Sequence, residues 1–376
     1  MIKIIPVKTK KELKQFIMLP FKLYKNDSHW VAPLITDQKN FFDPKKNPYY
    51  EHSEVQLFLV EKDGEIVGRI SAQTNTQHNK FHEDKVGFFG FFESINDQDV
   101  ADKLIEAAYN WNKTKGMDTI RGPMNFSTND ECGLLVDGFE SSPFILMTHN
   151  PEFYQILLEK TGFIKEMDLL AYLIPKRPTP ERLQRIVEKL QKRGRFIVRE
   201  LSSKNKKELR KDLEIVFTVY TKAWERNWGF VPMTEREFFH LIDSVIGLVR
   251  PEFFYLAFVD DQPAGFYAAL PDYNQILKKM KGRLFPFGIF HLLLGKNKIT
   301  RMRVITLGVI KEYHNRGIDT VFYTKNFQIA NEHKKLNIKE AEMSWILETN
   351  TMMNRIATNL GGWVHKTYRI FDKKIT

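Results

Sequence analysis

The 376-residue sequence has one cysteine, Cys132, and no long run of apolar residues. A single cysteine excludes an intrachain disulfide and a cysteine-based zinc site within the chain, and it is typical of proteins in a reducing compartment. The N-terminal segment lacks the apolar core of about ten residues that marks a signal peptide. No window approaches the roughly 18 uninterrupted apolar residues of a membrane-spanning helix. We therefore expect a soluble, cytoplasmic protein.

Acidic residues are scarce in the second half of the chain. Residues 1–174 carry 20 Lys and Arg against 25 Asp and Glu, whereas residues 175–376 carry 37 against 21, so the net charges are −5 and +16. A positive field of this size attracts nucleic acid, phosphorylated cofactors and anionic lipid headgroups. A lysine-rich solubilising surface explains the excess equally well. Neither half has the motifs of nucleic-acid-binding proteins, so we expect no nucleic-acid partner.

Two pairs of segments repeat across the halves. Val55–Asn75 and Phe254–Asn274 both read as a strand, a turn containing Asp and a second strand, which predicts a β-hairpin in each half; Gly68 aligns with Gly265 at an offset of 197 residues. Asn150–Ile174 and Asn350–Phe371 both read as an asparagine, a helix, a glycine stop and a strand, and the stops Gly162 and Gly361 are 199 residues apart. This agreement of order and spacing predicts two tandem domains of one fold.

A proline-rich segment, Pro175–Pro180, interrupts the chain between the repeats. We place the domain boundary there, which gives domains of residues 1–174 and 175–376. In each half the hairpin comes early, and strands alternate with helices later. This order predicts an α/β fold in which each domain has a mixed, mostly antiparallel central sheet flanked by helices.

The sharpest local signal is Val304–Lys325, which reads as a strand, a turn and a helix. A helix that follows directly on a strand presents unpaired backbone N–H groups beyond the strand end, where they bind anions. Arg316 and Gly317 in this turn would let a pyrophosphate approach closely and would add positive charge. On this stretch alone, an ordinary strand-to-helix connection is the alternative.

The order of these elements resembles the GNAT superfamily, the acyl-CoA N-acyltransferase fold. It consists of a hairpin, a strand, a turn with its helix, a further strand, an Asn-initiated helix and a closing strand. The resemblance covers Phe253–Phe371 well and Val55–Ile174 more faintly. The superfamily's phosphate turn is Gln/Arg-x-x-Gly-x-Gly/Ala, and residues 314–319 here read His-Asn-Arg-Gly-Ile-Asp. Gly317 matches the pattern, whereas Asp319 departs from it and would either repel phosphate or cap the helix.

The resemblance implies attack of an amine on an acyl thioester, with acetyl-CoA or a longer acyl-CoA as donor, an acyl carrier protein as the alternative donor, and no metal. Where the superfamily often has a tyrosine that protonates the leaving thiolate, this chain has Ala357. We predict Glu348 and Glu342 as bases and Tyr313 as the acid, with exposed charge and a helix-capping aromatic as the alternatives. The predicted donor-binding residues are Leu307, Val309, His314, Asn315, Arg316, Gly317, Ile318, Asp319, Thr320 and Asn350.

The first half has no phosphate turn, because Glu93–Asp97 is acidic and lacks glycine. We therefore expect a degenerate GNAT-like domain with a structural or substrate-side role. A long polar stretch follows Arg121 and resembles bacterial GNAT-like proteins of unassigned substrate. The predicted acceptor-binding residues are Asn125, Ser127, Thr128, Asn129, Asp130 and Glu131. Cys132 as a nucleophile is a weaker alternative, because the sequence places no base beside it.

Two further features leave alternatives open. Ile276–Arg303 has basic residues around a phenylalanine-rich centre, which suits peripheral membrane contact, an acyl chain or a carrier protein, and which a domain-packing insertion also explains. His78 and His82 have the spacing of a metal-binding helix, but the stretch reads as a loop without a third ligand. The sequence leaves open whether the acceptor of the acyl group is a small amine or a lipid. Asp319 and Ala357 favour the other class of function, a catalytically inactive binding module.

Overall fold

The computed structural model describes residues 1–194, 196–333 and 335–376, and its strands form one continuous sheet. The first half contributes β1 (Ile2–Pro6), β2 (Ser53–Lys62), β3 (Glu65–Asn75), β4 (Val86–Ser94), β5 (Thr119–Gly122), β6 (Leu134–Asp137) and β7 (Ile164–Pro175). The second half contributes β8 (Ile197–Glu200), β9 (Phe254–Val259), β10 (Gln262–Pro271), β11 (Arg301–Val309), β12 (Glu340–Leu347) and β13 (Trp363–Lys374).

Helices cover the sheet in both halves. In the first half they are α1 (Lys10–Leu23), α2 (Ile35–Phe41), α3 (Thr76–His82), α4 (Gln98–Thr114) and α5 (Phe153–Lys160). In the second half they are α6 (Glu181–Arg193), α7 (Lys206–Trp224), α8 (Glu235–Val245), α9 (Asn274–Met280), α10 (Gly288–Gly295), α11 (Ile318–Glu332) and α12 (Thr351–Asn359). Over the described residues, no helix is long and apolar enough to cross a membrane.

The strand order is β1-β2-β3-β4-β5-β13-β7-β12-β11-β10-β9-β8, with β6 also paired to β13. Most neighbours are antiparallel, and the parallel pairs are β4 with β5 and β11 with β12. The two predicted hairpins are β2–β3 and β9–β10, at equivalent places in their halves. The prediction of an α/β fold built from two tandem GNAT-like units is confirmed.

The closing strands of the two halves are exchanged, which the sequence did not indicate. Strand β7 belongs to the first half but pairs with β12 of the second half, with Leu169 opposite Leu347. Strand β13 belongs to the second half but pairs with β5 of the first half, with Phe371 opposite Gly122. The predicted domain limits of 1–174 and 175–376 therefore stay a prediction; in the structure, residue 175 is the last residue of β7.

Local signals in the sequence account for the helix ends and the buried faces. Helix α1 begins with a capping box in which the Thr9 hydroxyl accepts from the Glu12 N–H and the Glu12 carboxylate accepts from the Thr9 N–H. Helix α4 buries Val100, Leu104 and Ala108 at helical spacing against β2 and β3. The stretch from His78 to His82, read as a loop, is part of α3.

Candidate functional site

The strands β11 and β12 separate part-way along their length. They pair from Arg301 opposite Glu340 to Val304 opposite Met343, and no pair follows. At Ile305 the register of β11 against β10 shifts, which marks a β-bulge, while β12 continues along β7. Leu307 and Val309 lie on the part of β11 that β12 has left. We call the opening between these two strands the donor wedge.

A turn with a free helix start lies at the end of β11. Gly317 has φ 83° and precedes the first residue of α11, and no side chain caps this helix. Within the described residues no hydrogen bond engages the N–H groups of Ile318 or Thr320. The Arg316 guanidinium is exposed and lies 5.4 Å from the centre of the Tyr313 ring. Uncapped N–H groups next to an arginine suit a pyrophosphate.

The other predicted residues of this turn have local roles. The His314 ring folds back, with Nε2 2.8 Å from the Val309 carbonyl oxygen, and Asn315 has φ 60°. The Ile318 side chain is buried in the core, so only its N–H faces a ligand site. The Thr320 carbonyl accepts from Thr324, 2.9 Å away.

Two side chains narrow the turn. A Cβ placed on Gly317 would lie 2.6 Å from Leu190 Cδ1, because α6 packs against this corner. Asp319 in the first turn of α11 adds a negative charge, and together with burial it raises the pKa of Tyr323. The turn therefore offers N–H donors and Arg316 to an anion, while Leu190 closes one side of it.

The corresponding places in the first half are occupied by the chain itself. The Asp97 carboxylate caps α4 by accepting from the Val100 N–H and also pairs with Lys62. The hydrogen bond from Lys62 lowers the pKa of Asp97. A Cβ on Gly90 would lie 1.9 Å from the Met124 carbonyl oxygen, so the chain passes directly over β4. The Asn125 side chain accepts from the Phe91 N–H at 2.8 Å. The first half thus has a filled wedge and a capped helix.

A buried polar cluster lies on β11, β12 and β13 beside the donor wedge. The Glu342 side chain has 0% exposure, accepts from Ser344 Oγ at 2.5 Å and lies 2.7 Å from His365 Nε2. The Arg303 guanidinium donates to Ser344 Oγ at 2.8 Å and to the Ile145 carbonyl at 2.9 Å. Burial lowers the pKa of Arg303, and the Glu342 carboxylate opposes this shift. We call Arg303, Glu342, Ser344 and His365 the polar cluster.

The predicted acceptor loop, residues 125–131, joins the two halves next to this cluster. Thr128 Oγ1 donates to the Gly229 carbonyl at 2.6 Å, and Asn129 Nδ2 donates to the Val231 carbonyl at 3.1 Å. The Tyr220 hydroxyl donates to Asn129 Oδ1 at 2.5 Å. A cavity of about 280 Å³ next to Gly229 also lies between the halves. The loop is therefore fixed by residues of the second half.

Two carboxyl groups of this loop, those of Asp130 and Glu131, have raised pKa values. Ser127 Oγ donates to Asp130 Oδ2 at 3.0 Å, and burial raises the pKa of Asp130 to about 7. Desolvation by the surrounding protein raises the pKa of Glu131, and the Arg303 charge opposes the rise. Cys132 is buried, which raises the pKa of its thiol to about 12, so it is unsuited to act as a nucleophile.

The structure does not bring the three predicted catalytic residues together. Glu342 is in the polar cluster, whereas Glu348 lies six residues further on, about 20 Å along the strand direction. There Glu348 pairs with Lys165 at 2.7 Å and accepts from the Asp168 N–H at 3.0 Å. Tyr313 lies under Arg316 in the turn, and Asn350 caps α12 by accepting from the Met353 N–H at 3.1 Å. Their functional roles stay predictions.

Arg303 and His365 are the residues that sequence reasoning missed. Arg303 lies on β11 directly opposite Glu342 in the β11–β12 pair, whereas His365 lies on β13 and reaches Glu342 across the intervening strand β7. The alternation of Glu342 and Ser344 on one strand face was the only signal of the cluster in the sequence. Among the described residues no group of three or more His, Cys, Asp or Glu side chains could hold a metal ion.

The exchanged sheet, the donor wedge and the turn at Gly317 define a tandem GNAT-fold protein. A tandem GNAT protein from the clavulanic acid biosynthesis pathway superposes on 100% of this chain and 99% of its own, with a TM-score of 0.58 and 10% identity. A GCN5-related N-acetyltransferase from Sphaerobacter thermophilus superposes on 100% of this chain and 96% of its own, with a TM-score of 0.51 and 12% identity. These likenesses show the fold.

Sequence relatives identify the family. The chain is 34% identical over 371 residues to protein YghO of Escherichia coli, covering 97% of this chain and 94% of that protein. It is 35% identical over 378 residues to the bacterial ceramide synthase of Caulobacter vibrioides, covering 99% of this chain and 97% of that protein. No protein-family model matches the chain. The chain belongs to the family of these two bacterial proteins.

Proposed function

We propose that the chain is an N-acyltransferase that moves a long acyl group from acyl-CoA, or from an acyl carrier protein, to the amine of a lipid acceptor. The observation that carries the proposal is the open donor wedge beside the buried Glu342–His365 pair. The relative named as a ceramide synthase supports the lipid acceptor, because a ceramide is an N-acylated long-chain amino alcohol.

The donor would bind across the second half. The free stretch of β11 around Leu307 offers backbone groups to the pantetheine arm, because β12 no longer pairs with it. The uncapped start of α11 and the exposed Arg316 would bind the pyrophosphate. The first half cannot duplicate this role, since Asp97 holds the helix start and the Met124 segment fills the wedge.

The acceptor would bind between residues 125–131 and the polar cluster. Its amine nitrogen attacks the thioester carbonyl carbon, the C–S bond breaks, and the thiolate takes a proton to leave as a thiol. The proton that the nitrogen loses passes to the Glu342–His365 pair, in which a carboxylate orients the imidazole. Arg303 is a positioning residue, because it acts on Glu342 through Ser344.

The second candidate function is a binding module without turnover. Asp319 at the helix start and Leu190 over Gly317 favour it, because both reduce the room and the positive charge for a pyrophosphate. Under this alternative the chain holds an acyl-CoA or a lipid but transfers nothing.

Product formation with a long-chain acyl-CoA and a long-chain amino alcohol tests the proposal. Mass spectrometry should detect the N-acyl product, and the acyl-CoA should raise the Tm of the protein. Gly317→Glu should abolish both effects, because it places a carboxylate in the pyrophosphate position. Gly116→Glu is the matched control, since Gly116 also has positive φ but a Cβ there would meet nothing within 4 Å. A Tm shift without product would favour the binding module, and the absence of both would contradict the proposal.

A further inference from the structure

A group of exposed apolar side chains projects from the second half between β10 and β11. These are Phe285 (71% exposed), Phe287 (73%), Phe290 (58%), Leu293 (55%) and Leu294 (71%). Single exposed apolar residues are normal, but five within ten residues of sequence form a patch of the kind that marks an interaction site. We call these five residues the apolar projection.

The backbone beneath the apolar projection is fixed to the body of the protein. Phe290, Leu293 and Leu294 have the i, i+3, i+4 spacing of one face of α10, and Leu292 on another face packs on the core. Gly295 lies against Ile276 of α9, which is buried in the same core. Phe290, Leu293 and Leu294 therefore lie on a helix that packs against the core, and Phe285 and Phe287 lie in the turn that leads into this helix.

Basic side chains surround the apolar projection. The exposed ones are Lys278, Lys279, Lys281, Arg283, Lys296 and Lys298. No acidic residue occurs in the sequence between Asp272 and Glu312. Asp272 itself is taken up by Arg301, with 2.5 Å between Arg301 Nη2 and Asp272 Oδ2. The segment between Asp272 and Glu312 is thus apolar at its centre, and all of its charged side chains are positive.

We propose that the apolar projection inserts into an anionic lipid bilayer and that the surrounding lysines and arginine contact its phosphate-bearing headgroups. Charge complementarity selects this partner, because an interfacial helix buries aromatic and leucine side chains at the acyl boundary while cations bind anionic headgroups. A protein partner with a mixed-charge rim would leave several of these cations unpaired. The proposal concerns a docking surface and does not require that the chain be catalytic.

The same structure links this surface to the polar cluster. Asn274 at the start of α9 donates from Nδ2 to the Pro143 carbonyl at 3.0 Å, and Asp272 accepts from the Ile145 N–H at 2.9 Å. The Ile145 carbonyl in turn accepts from Arg303. These bonds hold the docking surface in a fixed position relative to the polar cluster. That this placement serves the delivery of a lipid acceptor rests on the proposed function.

Co-sedimentation with vesicles tests the docking surface without any donor or acceptor. The full chain should bind vesicles of phosphatidylglycerol and phosphatidylethanolamine and should not bind pure phosphatidylcholine. Phe285→Ser/Phe287→Ser/Phe290→Ser should lower the affinity by at least about tenfold, because each phenylalanine loses its buried area. Lys278→Glu/Lys279→Glu/Lys281→Glu should lower it by about fivefold for each charge removed. Lys204→Glu/Lys206→Glu/Lys207→Glu, equally exposed in the second half, is the matched control and should bind normally.

A fluorescent label gives a second measurement on the same surface. A dye attached to Leu294→Cys should shift to the blue with anionic vesicles, and Cys132 does not compete for the label because it is only 3% exposed. Unchanged vesicle affinity of the phenylalanine variant would overturn the proposal. So would a change from dimer to monomer in that variant with vesicle binding intact, which would make the surface a contact between two copies. Vesicle binding without acyl transfer would refute the proposed function and leave the docking surface standing.

Discussion

Glu342→Gln tests the proposed chemistry with almost no change in shape. The carboxylate is fully buried between Ser344 Oγ and His365 Nε2, and the amide can accept from only one of them. One lost buried hydrogen bond costs about 1–3 kcal/mol of the free energy of unfolding, which leaves a domain of ordinary stability folded. Removing the carboxylate that orients a catalytic imidazole lowers kcat by up to about 10⁴-fold. The loss of stability and the loss of activity can therefore be measured separately.

Single-turnover kinetics with enzyme in excess measures the step directly, by following free thiol release from a long-chain acyl-CoA. Thiol release should be slower in Glu342→Gln by the factor given above, and urea unfolding should report the smaller stability change. Glu348→Gln is the matched control, because Glu348 is partly exposed and paired with Lys165, so its rate should stay near that of the unsubstituted chain. A Glu342→Gln protein with an unaltered rate would refute the role proposed for the Glu342–His365 pair.

Three further predictions concern groups outside the proposed chemistry. The Cys132 thiol, with its pKa raised to about 12 by burial, should resist alkylation at pH 8 in the folded protein and react on unfolding; alkylation of the native chain would contradict the structure. Asp97→Ala removes the cap of α4 and should cost about 1 kcal/mol in urea unfolding. The Lys62 hydrogen bond lowers the pKa of Asp97, so the contribution of the Asp97 cap to the free energy of unfolding is present above the ordinary Asp pKa and is lost as pH falls through the lowered pKa. If Asp97→Ala cost the same stability at pH 7 and at pH 2, this explanation would be wrong. Burial raises the pKa of Asp130 to about 7, so stability falls as pH rises from the ordinary Asp pKa to about 7. Asp130→Asn should remove that loss between about pH 4 and pH 7, and an unchanged pH dependence would exclude it.

The sequence alone predicted the tandem architecture, because the signals that carry it are local. Alternating apolar residues define the hairpins β2–β3 and β9–β10, and glycine after a helix marks the stops at Gly162 and Gly361. The turn at Gly317 was also visible, since positive φ at a helix start has a sequence signature. Each of these features depends on residues close together in the chain.

The features that the sequence did not reveal depend on contacts between distant segments. The exchange of β7 and β13 is invisible to pattern reasoning, because a closing strand reads the same whichever sheet it joins. The polar cluster assembles Arg303, Glu342 and His365 from three strands, so it could not be predicted before the strand order was known. The Met124 segment that fills the first wedge was read only as a polar loop.

The exchange of closing strands has a consequence for how a duplicated gene can evolve. Each copy supplies the strand that completes the other, since β13 lies between β5 and β7, and β7 lies between β13 and β12. Deleting either copy would open the middle of the survivor's sheet and expose unpaired backbone groups. Selection for folding alone is then enough to retain a first half whose own wedge is filled. The sequence of that half is free to diverge and to form the surface that faces the second half.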